Sequence, residues 1–118
     1  MDELIDRLVA DIGIDRAAAE KAVGIILQFL VKEGPADKVQ PLLAKLPGAE
    51  ALIASAESDG GGMIGGVMGA GMRMMSAGLS MGEVQSVARA VLGYAREKVG
   101  EDAVGEIVAA IPGLSQFV

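Results

Sequence analysis

Gly78–Gly113, GLSMGEVQSVARAVLGYAREKVGEDAVGEIVAAIPG, decides the fold, because the same plan occurs once before it, without a gap, 65 positions earlier. With Gly13 set on Gly78 the two halves stay in register to the end of the chain. Leu27 falls on Leu92, Asp37 on Asp102, Val39 on Val104, Ala44 on Ala109, Pro47 on Pro112 and Gly48 on Gly113. Seven identities in 41 positions are a weak signal alone. The conservative matches weigh more, because they fall where a buried helix face belongs: Ile14 on Leu79, Ile26 on Val91, Phe29 on Tyr94, Leu42 on Ile107, Leu46 on Ile111, Leu52 on Phe117 and Ile53 on Val118. Any two helical hairpins rich in Ala, Val and Leu align to some extent, but a Pro-Gly at the same distance from a common start does not follow from composition. A unit of this size is too small to bury a full apolar face alone. The expectation is an all-α single domain, residues 1–118, built as a helical bundle of two pseudo-symmetric three-helix repeats. Repeat one is 1–55, a linker 56–62, and repeat two 63–118.

Composition supports helices. Of the 118 residues 52% are apolar but only 3% aromatic, so the core is made of Ala, Val, Leu, Ile and Met. Strands would call for more Thr, Tyr, Phe and Trp. Within residues 2–12, Leu4, Ile5, Leu8, Val9 and Ile12 share one helical face, with Asp2, Glu3, Asp6 and Asp11 elsewhere and Gly13 as the stop. Asp15 suits the N-cap of a second helix reaching about Glu33, apolar over most of its circumference and so expected to be central. Gly34-Pro35 breaks it. A third helix runs to Leu46, and Pro41 is tolerable within it only if it starts near Asp37. Leu52 and Ile53 read as a short apolar turn folding back on the bundle, and Leu114, Phe117 and Val118 as its equivalent. Ser80 and Glu83 form a capping box, the best-marked helix start in the chain.

The copies differ at their beginnings. Gly60–Gly78, GGGMIGGVMGAGMRMMSAG, occupies the slot of the charged first helix yet has one charge, Arg73, and six of the seven methionines lie between Met63 and Met81. Each glycine costs a helix about 0.8–1 kcal/mol relative to alanine, so the stretch from Gly60 to Gly71 needs outside support. Four readings are open. Gly62, Gly66 and Ala70 form a small-residue face on which helices approach closely, with Met side chains filling gaps. The segment is a linker as far as Gly66 and helical from Val67. The methionine face meets a second copy or a protein partner. Or Met68, Met72, Met74 and Met75 present thioethers to Cu(I), the least expected of the four without His or Cys nearby. The candidate interaction face is Gly62, Gly66, Val67, Met68, Met72 and Met75.

Charge and missing residue types remove several functions. Net charge is −6 with a pI near 4.5, and no Lys/Arg stripe offsets it, so no nucleic-acid partner is expected. Residues 1–59 carry eleven acids and six bases against five and four in 60–118, which makes the second half the one more suited to being covered. With no histidine and no cysteine there is no Ser-His-Asp triad, imidazole ligand, thiolate or disulfide. The uncharged run from Gly60 to Met72 is too short for the roughly 20 residues of a membrane span. Glu57 and Asp59 beside glycines fall short of a calcium loop's ligand set. No cofactor or metal is expected, and no catalytic residue. The acidic, periodic N-terminus is unlike a signal peptide, so the expected location is cytoplasmic.

The second copy, more closely than the first, resembles the VcgC/VcgE type of bacterial domain of unknown function. The resemblance rests on Gly78-Leu79-Ser80, on Leu92-Gly93-Tyr94-Ala95-Arg96, and on Val108-Ala109-Ala110-Ile111-Pro112-Gly113 followed by apolar residues. It covers about 40 residues in each half, and the Ile-Pro-Gly or Leu-Pro-Gly end is its most specific element. It implies a helical fold and brings no activity, cofactor or site residue. The function expected from the chain is non-catalytic: self-association, as a homodimer, or protein docking through the Gly/Met-rich face. The alternative is a carrier holding a small apolar or lipid-like ligand between the repeats.

Overall fold

A computed structural model of the chain describes residues 2–46, 48–58 and 66–111. Over these residues the chain forms seven α-helices and no strand: α1 Asp2–Ile12, α2 Arg16–Glu33, α3 Ala36–Ala44, α4 Ala49–Ser58, α5 Gly66–Ser76, α6 Met81–Val99 and α7 Glu101–Ala110. The all-α expectation therefore holds. Pro47, 59–65 and 112–118 lie outside the described residues, and with them the expectations for Gly62, Asp59, Leu114, Phe117 and Val118.

α1 buries Leu4, Ile5 and Leu8 and leaves Val9 and Ile12 partly covered, as its stripe requires. Gly13 ends it at φ +82°, donating its N–H to the Val9 carbonyl. In α2 all nine residues from Ala22 to Leu30 are buried. A helix can bury consecutive residues only when neighbours stand all round it, and α1, α3, α4, α5 and α6 all pack on α2. Asp15 adopts the extended N-cap conformation, but its carboxylate accepts no capping hydrogen bond.

Two boundaries differ from the sequence reading. Where a short turn was expected at Leu52 and Ile53, α4 is a ten-residue helix, and it runs through Ser58 into the stretch assigned to the linker 56–62. Its sequence, AEALIASAES, has four alanines and a glutamate in the first turn, both favourable to a helix, and it packs extensively on α2. α3 begins at Ala36, beside the expected start, with Pro41 just past the first turn whose N–H groups have no intrahelical partner, but it ends at Ala44, two residues before the expected Leu46.

The buried apolar side chains form one cluster drawn from every helix pair around α2 and α6. α1 packs on α6 as well as α2, and α5 on α2 as well as α6. The extents, 31 × 30 × 26 Å, are those of a single body rather than two lobes in a row.

Candidate functional site

α5 carries the candidate face, and three of its eleven residues are glycine. That composition leaves it roughly 2–3 kcal/mol short of an alanine helix. The shortfall is met by packing, since α2 and α6 flank it and Ala70 and Met74 enter the core at 9% and 3% exposure. Its end is closed by Gly78 at φ +107°, with the Leu79 N–H reaching the Met74 carbonyl at 3.2 Å and the Leu79 side chain buried. Arg73, half-buried, donates from Nη1 to the Gln28 side-chain carbonyl of α2. Gln28 is the one buried polar side chain among the described residues, so this bond supplies its oxygen with a partner inside the protein. Ser80 then opens α6 with both halves of the capping box, Glu83 N–H to Ser80 Oγ and Ser80 N–H to Glu83 Oε1.

The face itself is partly open. Met72 is 51% and Met75 45% exposed, and Met81, at the first position of α6, is 51% exposed. Gly66, Val67 and Met68 lie in the first turn of α5 with the surroundings of their side chains undescribed, and Gly62 lies outside the described residues. Of the four thioethers considered for Cu(I), Met74 is buried and Met72 and Met75 are exposed, and the surroundings of Met68 are undescribed.

A second cluster has no signature in the sequence. Arg7 on α1 donates to Glu97 on α6 through both terminal nitrogens, at 2.7 and 3.3 Å, and to Glu3 one turn earlier on α1 at 2.8 Å. Its guanidinium stands 5.6 Å from the centre of the Tyr94 ring, and the Lys98 ammonium 5.1 Å from it. Tyr94 is buried, where its alignment with Phe29 puts it, but it also carries two cations. The hydrogen bond with Glu97 raises the Arg7 pKa, and the same bond lowers that of Glu97. The partners are 90 residues apart, so only the packing of α1 on α6 reveals them.

Comparison with protein-family models, curated proteins and solved structures finds no match. Among the described residues no helix is long and apolar enough to cross a membrane.

Proposed function

We propose that this protein acts without catalysis, by self-association through the methionine face of α5. The observation that carries the reading is the distribution of exposed apolar side chains. Four large ones are exposed among the described residues, and two of them, Met72 and Met75, lie one turn apart on the same helix, α5. Scattered apolar residues on a surface are ordinary, whereas a group of them marks a contact. Thioethers on flexible stems adapt to a partner surface, and fully burying one such side chain is worth about 1.5–3 kcal/mol. A second copy offers the same group, so an isologous pairing would cover both at once.

The proposal takes the chain as one helical module written twice, the plan read from the alignment of its two halves. Shifted by 65, α2 starts on α6, α3 starts on α7, and α1 falls within one residue of α5, which supports it. So does burial: Ala22 and Val87, Ile26 and Val91, Leu27 and Leu92, Phe29 and Tyr94, Val39 and Val104, and Leu42 and Ile107 are buried in both members of each pair. In this reading the second copy exchanged its acidic leading helix for an apolar one, and Met72 stands where the first copy has Arg7.

The test is light scattering over a concentration series with the unaltered chain and with Met72→Glu/Met75→Glu. The expected result is a dimer that the double substitution converts to a folded monomer. A strict monomer at high concentration sinks the reading.

A further inference from the structure

We propose that Met72 and Met75 form a peroxide-responsive modification site, whose conversion to sulfoxide disables the face they make. The chain has no cysteine, tryptophan or histidine, and its single tyrosine, Tyr94, is 4% exposed beneath two cations. Thioethers are therefore its most readily oxidised groups, and accessibility decides which of them react.

Burial divides them sharply along α5. Met74 is 3% exposed, while its neighbours Met75 and Met72 stand at 45% and 51%. One turn of helix thus holds the same functional group both shielded by the core and open to solvent. Met81, at 51%, is an exposed reference on another helix.

In the reaction a sulfur lone pair attacks one oxygen of a hydroperoxide and the O–O bond breaks. The new S=O bond forms as the other oxygen leaves as hydroxide or alkoxide and takes up the peroxide proton. Sulfur loses two electrons and the peroxide gains them, so no further co-reactant is needed. A sulfoxide is polar and chiral, and it disrupts an apolar contact. At Met74 it would disturb the core. At Met72 and Met75 it alters only the surface, so the fold survives and the contact does not. This consequence rests on the self-association proposed above, while the selectivity of the site does not.

The full chain is treated with limiting hydrogen peroxide at a dilution where single chains prevail, added oxygen is mapped by peptide mass spectrometry, and the same samples, concentrated again, are read by light scattering and circular dichroism. Met72, Met75 and Met81 are expected to take up oxygen at least about tenfold faster than Met74, in the order that exposure sets. Helicity is retained and the particle mass falls to that of one chain. In Met72→Leu/Met75→Leu, peroxide no longer changes the mass. Oxidation of Met74 as fast as Met72 and Met75 in the folded protein overturns the site. Oxidised protein that stays as associated as the reduced protein, or a peroxide response that persists in the double leucine variant, overturns its effect. A reduced protein that is monomeric at every concentration overturns the self-association reading and the effect drawn from it, and the oxygen map then still decides the site.

Discussion

Gly13 and Gly34 each bound a helix for a different reason, and alanine separates the two. Gly13 sits at φ +82°, where an L side chain is disfavoured, although a Cβ placed there meets nothing within 4 Å. Gly13→Ala should therefore cost roughly 1–2 kcal/mol of backbone strain and no more, read as a shift of the urea midpoint. Gly34 has an ordinary φ of −87°, but an added Cβ would lie 2.6 Å from the Leu30 carbonyl oxygen and 2.9 Å from Val39 Cγ2. Its alanine variant has to push α3 off α2, at a cost of about 1–3 kcal/mol, and amide exchange should quicken across the start of α3. A silent Gly34→Ala would show that the corner is looser than its geometry. The Arg7–Glu97 pair makes a prediction about pH. Its hydrogen bond holds the Glu97 carboxyl below its ordinary value of 4.5, so its contribution is present above that value and is lost as pH falls through the lowered one. The Glu97→Gln variant should lose stability less steeply than the parent as pH drops below about 4.5. The Arg7 and Lys38 pKa values are raised above their ordinary ones by their hydrogen bonds to Glu97 and Glu106, so what they contribute is fully present below those ordinary values and the neutral range should be flat in both proteins. Both partners of the pair are solvent-exposed and screened, so an identical acid limb in the two proteins would mean that the contact adds nothing measurable.

Helix starts and helix faces were legible to different degrees, and caps show why. Ser80 and Asp15 occupy equivalent places in the two aligned halves, and both are good N-cap residues. Only Ser80 accepts a bond from the helix it opens, and only there does a glutamate three residues on complete the box. Ser80→Ala should cost about 1 kcal/mol and Asp15→Ala distinctly less, and equal losses would show that Asp15 caps in solution after all. The stripes of α1, α2, α6 and α7 could be read because burial follows the 3.6-residue period whatever the partner. The helicity of α4 was missed because two apolar residues after Pro-Gly look like a turn unless the alanines around them are counted as helix formers. On α5 the methionine spacing suggested a face, but not which methionine turned inward. The structure sends Met74 to the core and leaves Met72 out, so Met74→Ala should cost about 2–5 kcal/mol while Met72→Ala stays within about 0.5 kcal/mol. Comparable losses in chemical denaturation would remove the distinction on which the α5 face depends. Gln28 with Arg73, and Arg7 with Glu97, were illegible for a simpler reason: each joins helices far apart in the chain, and no local period encodes such a pair.

At the scale of the whole molecule the leading helix of each half packs on the long helix of the other. α1 touches α6 and α5 touches α2, while α2 and α6 touch each other and α3 touches α7, with Lys38 and Glu106 paired at 2.8 Å across the last contact. The two halves are thus interlocked rather than stacked, and neither owns a complete core. Cutting the chain between α4 and α5 leaves a first fragment in which Leu4, Ile5 and Leu8 lose the α6 side of their packing and α2, buried on every side in the full chain, loses two neighbours. A fragment of that size is marginal even when its core is intact. Residues 1–58 and 66–118, prepared separately, should each give the narrow amide proton dispersion of an unfolded or molten chain, and mixing them should restore the dispersion of the intact protein. The uncut protein should unfold in one transition, with calorimetric and van't Hoff enthalpies equal, because no subset of helices has a core to keep. A first fragment that folds alone and unfolds cooperatively would mean that the contacts between α1 and α6 and between α2 and α5 are dispensable. The bundle would then be two modules resting on each other, and the exposed methionines of α5 would belong to a surface that the first half does not help to build.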